Sequence, residues 1–184
     1  MLNPVACYVG GKGMFASEPT WSFKVSVFKC LRETQLGYDC RHRYYRALFP
    51  DMPDNEFDRM VCDPIEYYDP DWTTQRAQYD DENADAMAIT RFWLQRDLAF
   101  QAQATVGIFG LDEPGFGTAI NIARFLDNKK PVSGFYNPAL SKKSTQHNFH
   151  NLLQLTITHP TLFSLNPYED ENDLRQQLTA QLMQ

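Results

Sequence analysis

No apolar stretch in this 184-residue chain approaches the roughly 20 residues a membrane-spanning helix needs. The amino-terminal residues also lack a charged segment followed by an apolar one, so no secretory leader is expected. The chain therefore reads as soluble and cytoplasmic. Basic residues are few: 17 lysines and arginines stand against 23 acidic residues, a net charge of -6, with no basic run to track a phosphate backbone. Nucleic acid and membranes are set aside as partners. The four cysteines, Cys7, Cys30, Cys40 and Cys62, form no CxxC pair, and the four histidines do not stand at metal-ligand spacing beside them. Free thiols are expected, with no metal and no organic cofactor. There is also no internal repeat, no Walker A sequence and no GxGxxG fingerprint.

What is present is an alternation of short apolar runs and amphipathic stretches. Pro4 to Val9 reads as a buried strand ending in the turn Gly10-Gly11-Lys12-Gly13. Ser17-Glu18-Pro19 opens a helix whose apolar face carries Trp21, Val25, Phe28 and Leu36. Four prolines break residues 38–80, where long loops and one short strand are expected; the acidic aromatic part, Tyr67 to Tyr79, reads as a loop at a pocket mouth or a subunit contact. A helix from Asn83 to Ala102, a strand from Thr105 to Leu111, a helix through Ala119, Ile122, Ala123 and Leu126, and a strand from Val132 to Tyr136 follow in close order. Helices are also expected at His147–Thr158 and Asn172–Met183. This order predicts one α/β domain over residues 1–184: a flavodoxin- or Rossmann-like parallel sheet of about five strands with helices on both faces.

In such sheets ligands bind outside the carboxyl ends of the strands, against exposed backbone N–H groups and helix amino termini. Two turns fit that place, Gly10 to Phe15 and Asp112 to Thr118. Taken alone, a Gly-Phe-Gly-Thr turn is equally well read as tight packing. His147 and His150, three residues apart, have no visible third ligand to make a metal site.

The combination of these pieces is more specific. Cys7-Tyr8-Val9-Gly10-Gly11 with Phe15, Arg96-Asp97-Leu98, the strand to Leu111, Gly115-Phe116-Gly117-Thr118-Ala119 with Ile122-Ala123, Lys130-Pro131-Val132, and His150-Asn151-Leu152-Leu153 occur in one order. In that order they resemble the nucleoside 2-deoxyribosyltransferases and the related nucleoside 5'-monophosphate N-glycosidases. The resemblance implies a nucleoside or nucleotide ligand and cleavage or transfer at an N-glycosidic bond, in which a carboxylate attacks the anomeric carbon. It implies a substrate-binding set of Gly10, Gly11, Phe15, Gly115, Gly117 and Thr118. It also implies a homo-oligomer in which Asn151 enters a neighbour's site.

By the same resemblance, Tyr8 matches the tyrosine that positions the nucleophile, and Asp97 matches an acid near a helix end. The nucleophilic glutamate itself falls on Asn121, and an aspartate that handles the proton on the base falls on Gly115. Asp112 and Glu113 are then either displaced catalytic carboxylates or ordinary acids at a helix entry. Asp97 is either a site residue or a surface partner of Arg96. An active enzyme and a noncatalytic sensor that keeps the pocket are both compatible with Asn121.

Overall fold

The computed structural model describes residues 3–11, 18–76, 86–113, 115–139 and 146–183. Strands β1 (Val5–Gly10), β2 (Gly37–Asp39), β3 (Val106–Gly110), β4 (Val132–Tyr136) and β5 (Phe163–Pro167) form one sheet, every pairing parallel, in the order β2-β1-β3-β4-β5. Parallel strands lie between two helix layers, so their central residues must be apolar on both faces. Val9, Ile108, Phe109 and Phe135 are accordingly buried.

The direction of each crossover fixes the layers. Helix α1 (Glu18–Thr34) connects β1 to β2 in one direction across the sheet; α6 (Phe116–Asp127) and α7 (Gln146–Thr158) connect β3 to β4 and β4 to β5 in the other. Right-handed crossovers then place α1 on one face and α6 and α7 on the opposite one. The path from β2 to β3, which ends in α5 (Ala86–Gln103), runs the same way as α6, so α5 and α6 share a face. The last helix, α8 (Glu171–Leu182), packs on α1 through buried Leu174 and Leu178, with Arg175 paired to Glu33 at 2.5 Å.

The stretch expected as loops is helical instead: α2 (Cys40–Leu48), α3 (Asp54–Met60), a 3-10 turn (Ile65–Tyr67) and α4 (Pro70–Arg76). Three of its four prolines begin helices: Pro53 caps α3, Pro64 precedes the 3-10 turn, and Pro70 is the first residue of α4, while Pro50 follows the end of α2. The described part of the acidic aromatic stretch is anchored in the core at two positions, while most of its other residues are exposed. Trp72 is buried, and fully buried Asp69 accepts from the Tyr45 hydroxyl at 2.5 Å and from Arg96 Nε at 3.1 Å.

The buried faces are wider than periodicity suggested. On α1 they carry Thr20, Phe23, Lys24, Val27, Phe28 and Leu31, while Trp21 and Val25 are only half-buried. On α6 they carry Thr118, Ile122, Phe125 and Leu126, leaving Ala119 and Ala123 exposed. All four cysteines are free and buried. Among the described residues no helix is long and apolar enough to cross a membrane.

Candidate functional site

Strand order decides where a ligand fits. From β1 the chain leaves toward β2, and from β3 it leaves toward β4, so the connections diverge beyond the carboxyl ends of these two neighbours. A cavity of about 460 Å³ lies there, a size that suits a small organic ligand. Gly10 and Gly11 form its floor. A Cβ at Gly10 would stand 2.4 Å from Phe109 Cε1, and Gly11 has φ +157°, so neither position accepts a side chain without strain.

One wall is a hydrogen-bond chain across three elements. The Tyr8 hydroxyl on β1 donates to Asp97 Oδ1 on α5 at 3.1 Å, and accepts from Asn121 Nδ2 on α6 at 3.0 Å. Asn121 Oδ1 accepts in turn from Gln101 Nε2 at 2.9 Å and from Arg124 Nη1 at 3.2 Å. A guanidinium has only donors, so Arg124 forces the amide oxygen toward itself and the amide nitrogen toward Tyr8. Asp97 and Gln101 are one turn apart on α5 and so bracket the Tyr8–Asn121 pair. Burial, with the Asp97 carboxylate adding, pushes the Tyr8 phenol well above its ordinary pKa, so it stays a neutral donor.

The second wall is the amino end of α6. Gly115 caps the helix without a side-chain bond, leaving the first-turn N–H groups facing outward. Thr118, 4% exposed, lines the cavity with its hydroxyl unpartnered among the described residues. A Cβ at Gly117 would meet nothing within 4 Å, so the space over this turn is open. Phe116, 94% exposed, stands at the mouth.

The third wall comes from residues the sequence reading did not select. Lys24 of α1, Arg41 of α2, and Cys62 and Asp63 after α3 line the cavity beside Asp97 and Trp93 of α5. Lys24 is 2% exposed, and burial, reinforced by the Arg41 cation, lowers its pKa to about 8. Burial works against the Arg41 charge too, yet Tyr68, Asp39, Tyr8 and Asp97 around it hold its pKa above the ordinary value. A signal for Lys24 was available: it is the one charged residue in the buried stripe of α1. Arg41 follows the carboxyl end of a strand only three residues long, too short to register as one.

No family model matches this chain, and no curated protein matches it significantly.

The structure thus brings Tyr8, Gly10, Gly11, Asp97, Gly115, Gly117, Thr118 and Asn121 onto one cavity. Asp97 faces Tyr8 rather than Arg96, whose guanidinium pairs with Asp69 and Asp71. Asp112 and Glu113 are not on the cavity wall. Asp112 is buried between strands, accepting from Asn137 N at 2.6 Å and from the Tyr168 hydroxyl at 3.0 Å; it ties the end of β3 to the residues after β4 and β5. Glu113 accepts from Thr20 Oγ1 at 3.1 Å, bridging to α1. Asn151 is exposed on α7 and lines no part of this chain's own cavity. Phe15 lies outside the described residues, as do the side chains of His147 and His150. Among the described residues no group of three or more His, Cys, Asp or Glu is arranged to hold a metal ion.

Proposed function

We propose that the cavity binds a nucleoside or nucleotide and that Asn121 makes it a binding site without glycosidic turnover, a sensor or interaction module descended from the deoxyribosyltransferase architecture. The observation that carries this reading is the Asn121 amide. Its oxygen and nitrogen are committed to Gln101, Arg124 and Tyr8, so the position opposite Tyr8 holds a hydrogen-bonded amide where a glycosidase needs a free carboxylate. Asp112 and Glu113 are bonded elsewhere and do not replace it. The open first turn of α6 with Thr118 supplies donors for a phosphate or sugar oxygen.

A second reading is favoured by one contact, the 3.1 Å bond that Tyr8 makes to Asp97. Asp97 lines the cavity and takes the nucleophile's role in it: a carboxylate oxygen bonds to the anomeric carbon, and the base departs with the C–N electron pair and takes a proton from water. Water then hydrolyses the ester. Self-association belongs to the same proposal, supported by Leu94 and Leu98 of α5 and Phe116 and Ile120 of α6, large apolar side chains left exposed.

The test is to incubate the purified protein with deoxynucleosides and their 5'-monophosphates, with and without an acceptor base, while measuring binding by calorimetry. Binding with no free base and no exchanged nucleoside is expected; base release that Asp97→Asn abolishes establishes the second reading. Asn121→Glu is expected to raise base release above background. Light scattering reads the oligomeric state.

A further inference from the structure

The guanidinium of Arg41 lines the cavity, yet it makes no hydrogen bond and no ion pair among the described residues, and its Nε is closed off from solvent without a partner. Such a group is costly to leave unmade. Its acidic neighbours do not satisfy it. Asp39 accepts from backbone donors, Val9 N on Oδ2 at 2.6 Å and His42 N on Oδ1 at 2.7 Å, and Asp97 accepts from Tyr8, and among the described residues neither carboxylate is hydrogen-bonded to the guanidinium. The neighbouring Tyr68 hydroxyl is likewise buried without a partner. Lys24 brings a second positive side chain to the same wall.

We infer that Arg41, with Lys24 beside it, is an oxyanion-binding subsite, separate from the α6 turn, and that the ligand of this cavity carries two anionic groups. Arg41 stands directly after β2 and the α6 turn follows β3, with β1 between them. Backbones two strand spacings apart are separated by about 10 Å, and one anionic group is seated against each of these two walls. A planar fork of donors suits the oxygens of a phosphate or carboxylate, and a half-enclosed cavity strengthens the pairing. The inference rests on the nucleotide reading only for the identity of the body between the two anions.

The experiment compares wild-type protein with Arg41→Gln and Arg41→Lys by calorimetry. The ligands are inorganic phosphate, a nucleoside, its 5'-monophosphate, its 5'-diphosphate and its 3',5'-bisphosphate. The wild type is expected to bind one of the doubly phosphorylated ligands about tenfold or more tightly than the monophosphate. Arg41→Gln is expected to erase that step, weakening the doubly phosphorylated ligand more than the monophosphate, and Arg41→Lys, which keeps the charge but not the fork, to retain part of it. Urea midpoints confirm that both variants fold. A step that survives in Arg41→Gln, or an equal loss for all nucleotides, overturns the subsite while leaving the nucleotide reading intact. Phosphate binding that depends on Arg41, with no nucleoside or nucleotide bound, supports the subsite and overturns the nucleotide reading. If neither phosphate nor any nucleotide binds, both fall.

Discussion

Replacing Asn121 by aspartate changes one NH2 into an oxygen and almost nothing in shape. In the native chain Tyr8 gives its single proton to Asp97 and offers a lone pair to the Asn121 amide at 3.0 Å. In the variant two carboxylates face one phenol proton, so one contact becomes oxygen against oxygen. The lost hydrogen bond and the unsatisfied partner together cost about 1–3 kcal/mol. Gln101 and Arg124 now donate to a charge, which returns about 1 kcal/mol. The expected net loss at pH 7 is about 1 kcal/mol, or a fall in Tm of about 2–4 °C for a chain of this size. The pH dependence is the sharper test. The new carboxyl, desolvated and close to Asp97, has a folded pKa above its unfolded one, so the folded variant binds the extra proton more tightly. Its stability relative to the native chain must improve as pH falls and worsen as pH rises through the folded value. Urea unfolding of both proteins at pH 5 and pH 7 measures this. A penalty absent at pH 7, or one that grows at pH 5, refutes the assigned direction of the hydrogen-bond chain.

Asp58 sits between His42 Nε2 at 2.7 Å and Arg32 Nη1 at 3.0 Å. Burial raises its pKa, but these two donors override that and hold it below the ordinary 3.8, so its stabilisation is present above that value and lost as pH falls through the lowered one. Asp58→Asn is expected to cost about 3 kcal/mol at pH 7 and to flatten the acid limb of the stability curve, read by urea midpoints from pH 3 to 7. Lys24 has the opposite sign: its folded pKa of about 8 lies below the ordinary 10.5, so the unfolded chain holds more protons between these values and stability rises with pH across that window. The rise is expected to approach 3 kcal/mol and to vanish in Lys24→Met; an equal rise in both proteins refutes the assignment. Gly10→Ala drives a methyl group against the fully buried Phe109 ring, and a loss of about 2 kcal/mol is expected from chemical denaturation.

The centre of the fold was legible because β1 and β3 are continuous apolar runs that stop at glycine turns, a pattern that physics ties to buried parallel strands. The outer parts were not. Helices α3 and α4 have seven residues each, too few to establish a period, and both start at prolines that look like breakers in a sequence. Strand β5 is five residues long and ends in Asn166-Pro167, a pair that reads as a turn, which hid it. In the site, Tyr8, Asp97 and Asn121 were visible through the order of short motifs. Asp112 misled because a carboxylate at a strand end serves equally well to tie strands together, and only the positions of Asn137 and Tyr168 decide between the two roles. Arg41 acquires meaning only through neighbours on other elements, Tyr8, Tyr68 and Asp97, and distance in sequence concealed them.

The hydrogen-bond chain at Tyr8 also has a consequence in time. Its partners lie 89 and 113 residues downstream, and β1 has β3 as a neighbour on its inner side. During synthesis the first strand has only three residues of β2 to pair with until β3 has left the ribosome, and Tyr8 gains its Asn121 partner only with α6. Closing a loop that long is a slow, late step, paid in entropy before any contact rewards it. The cavity is therefore completed only once the middle of the sheet has closed, because Asp97, β3 and α6 all reach β1 from far along the chain.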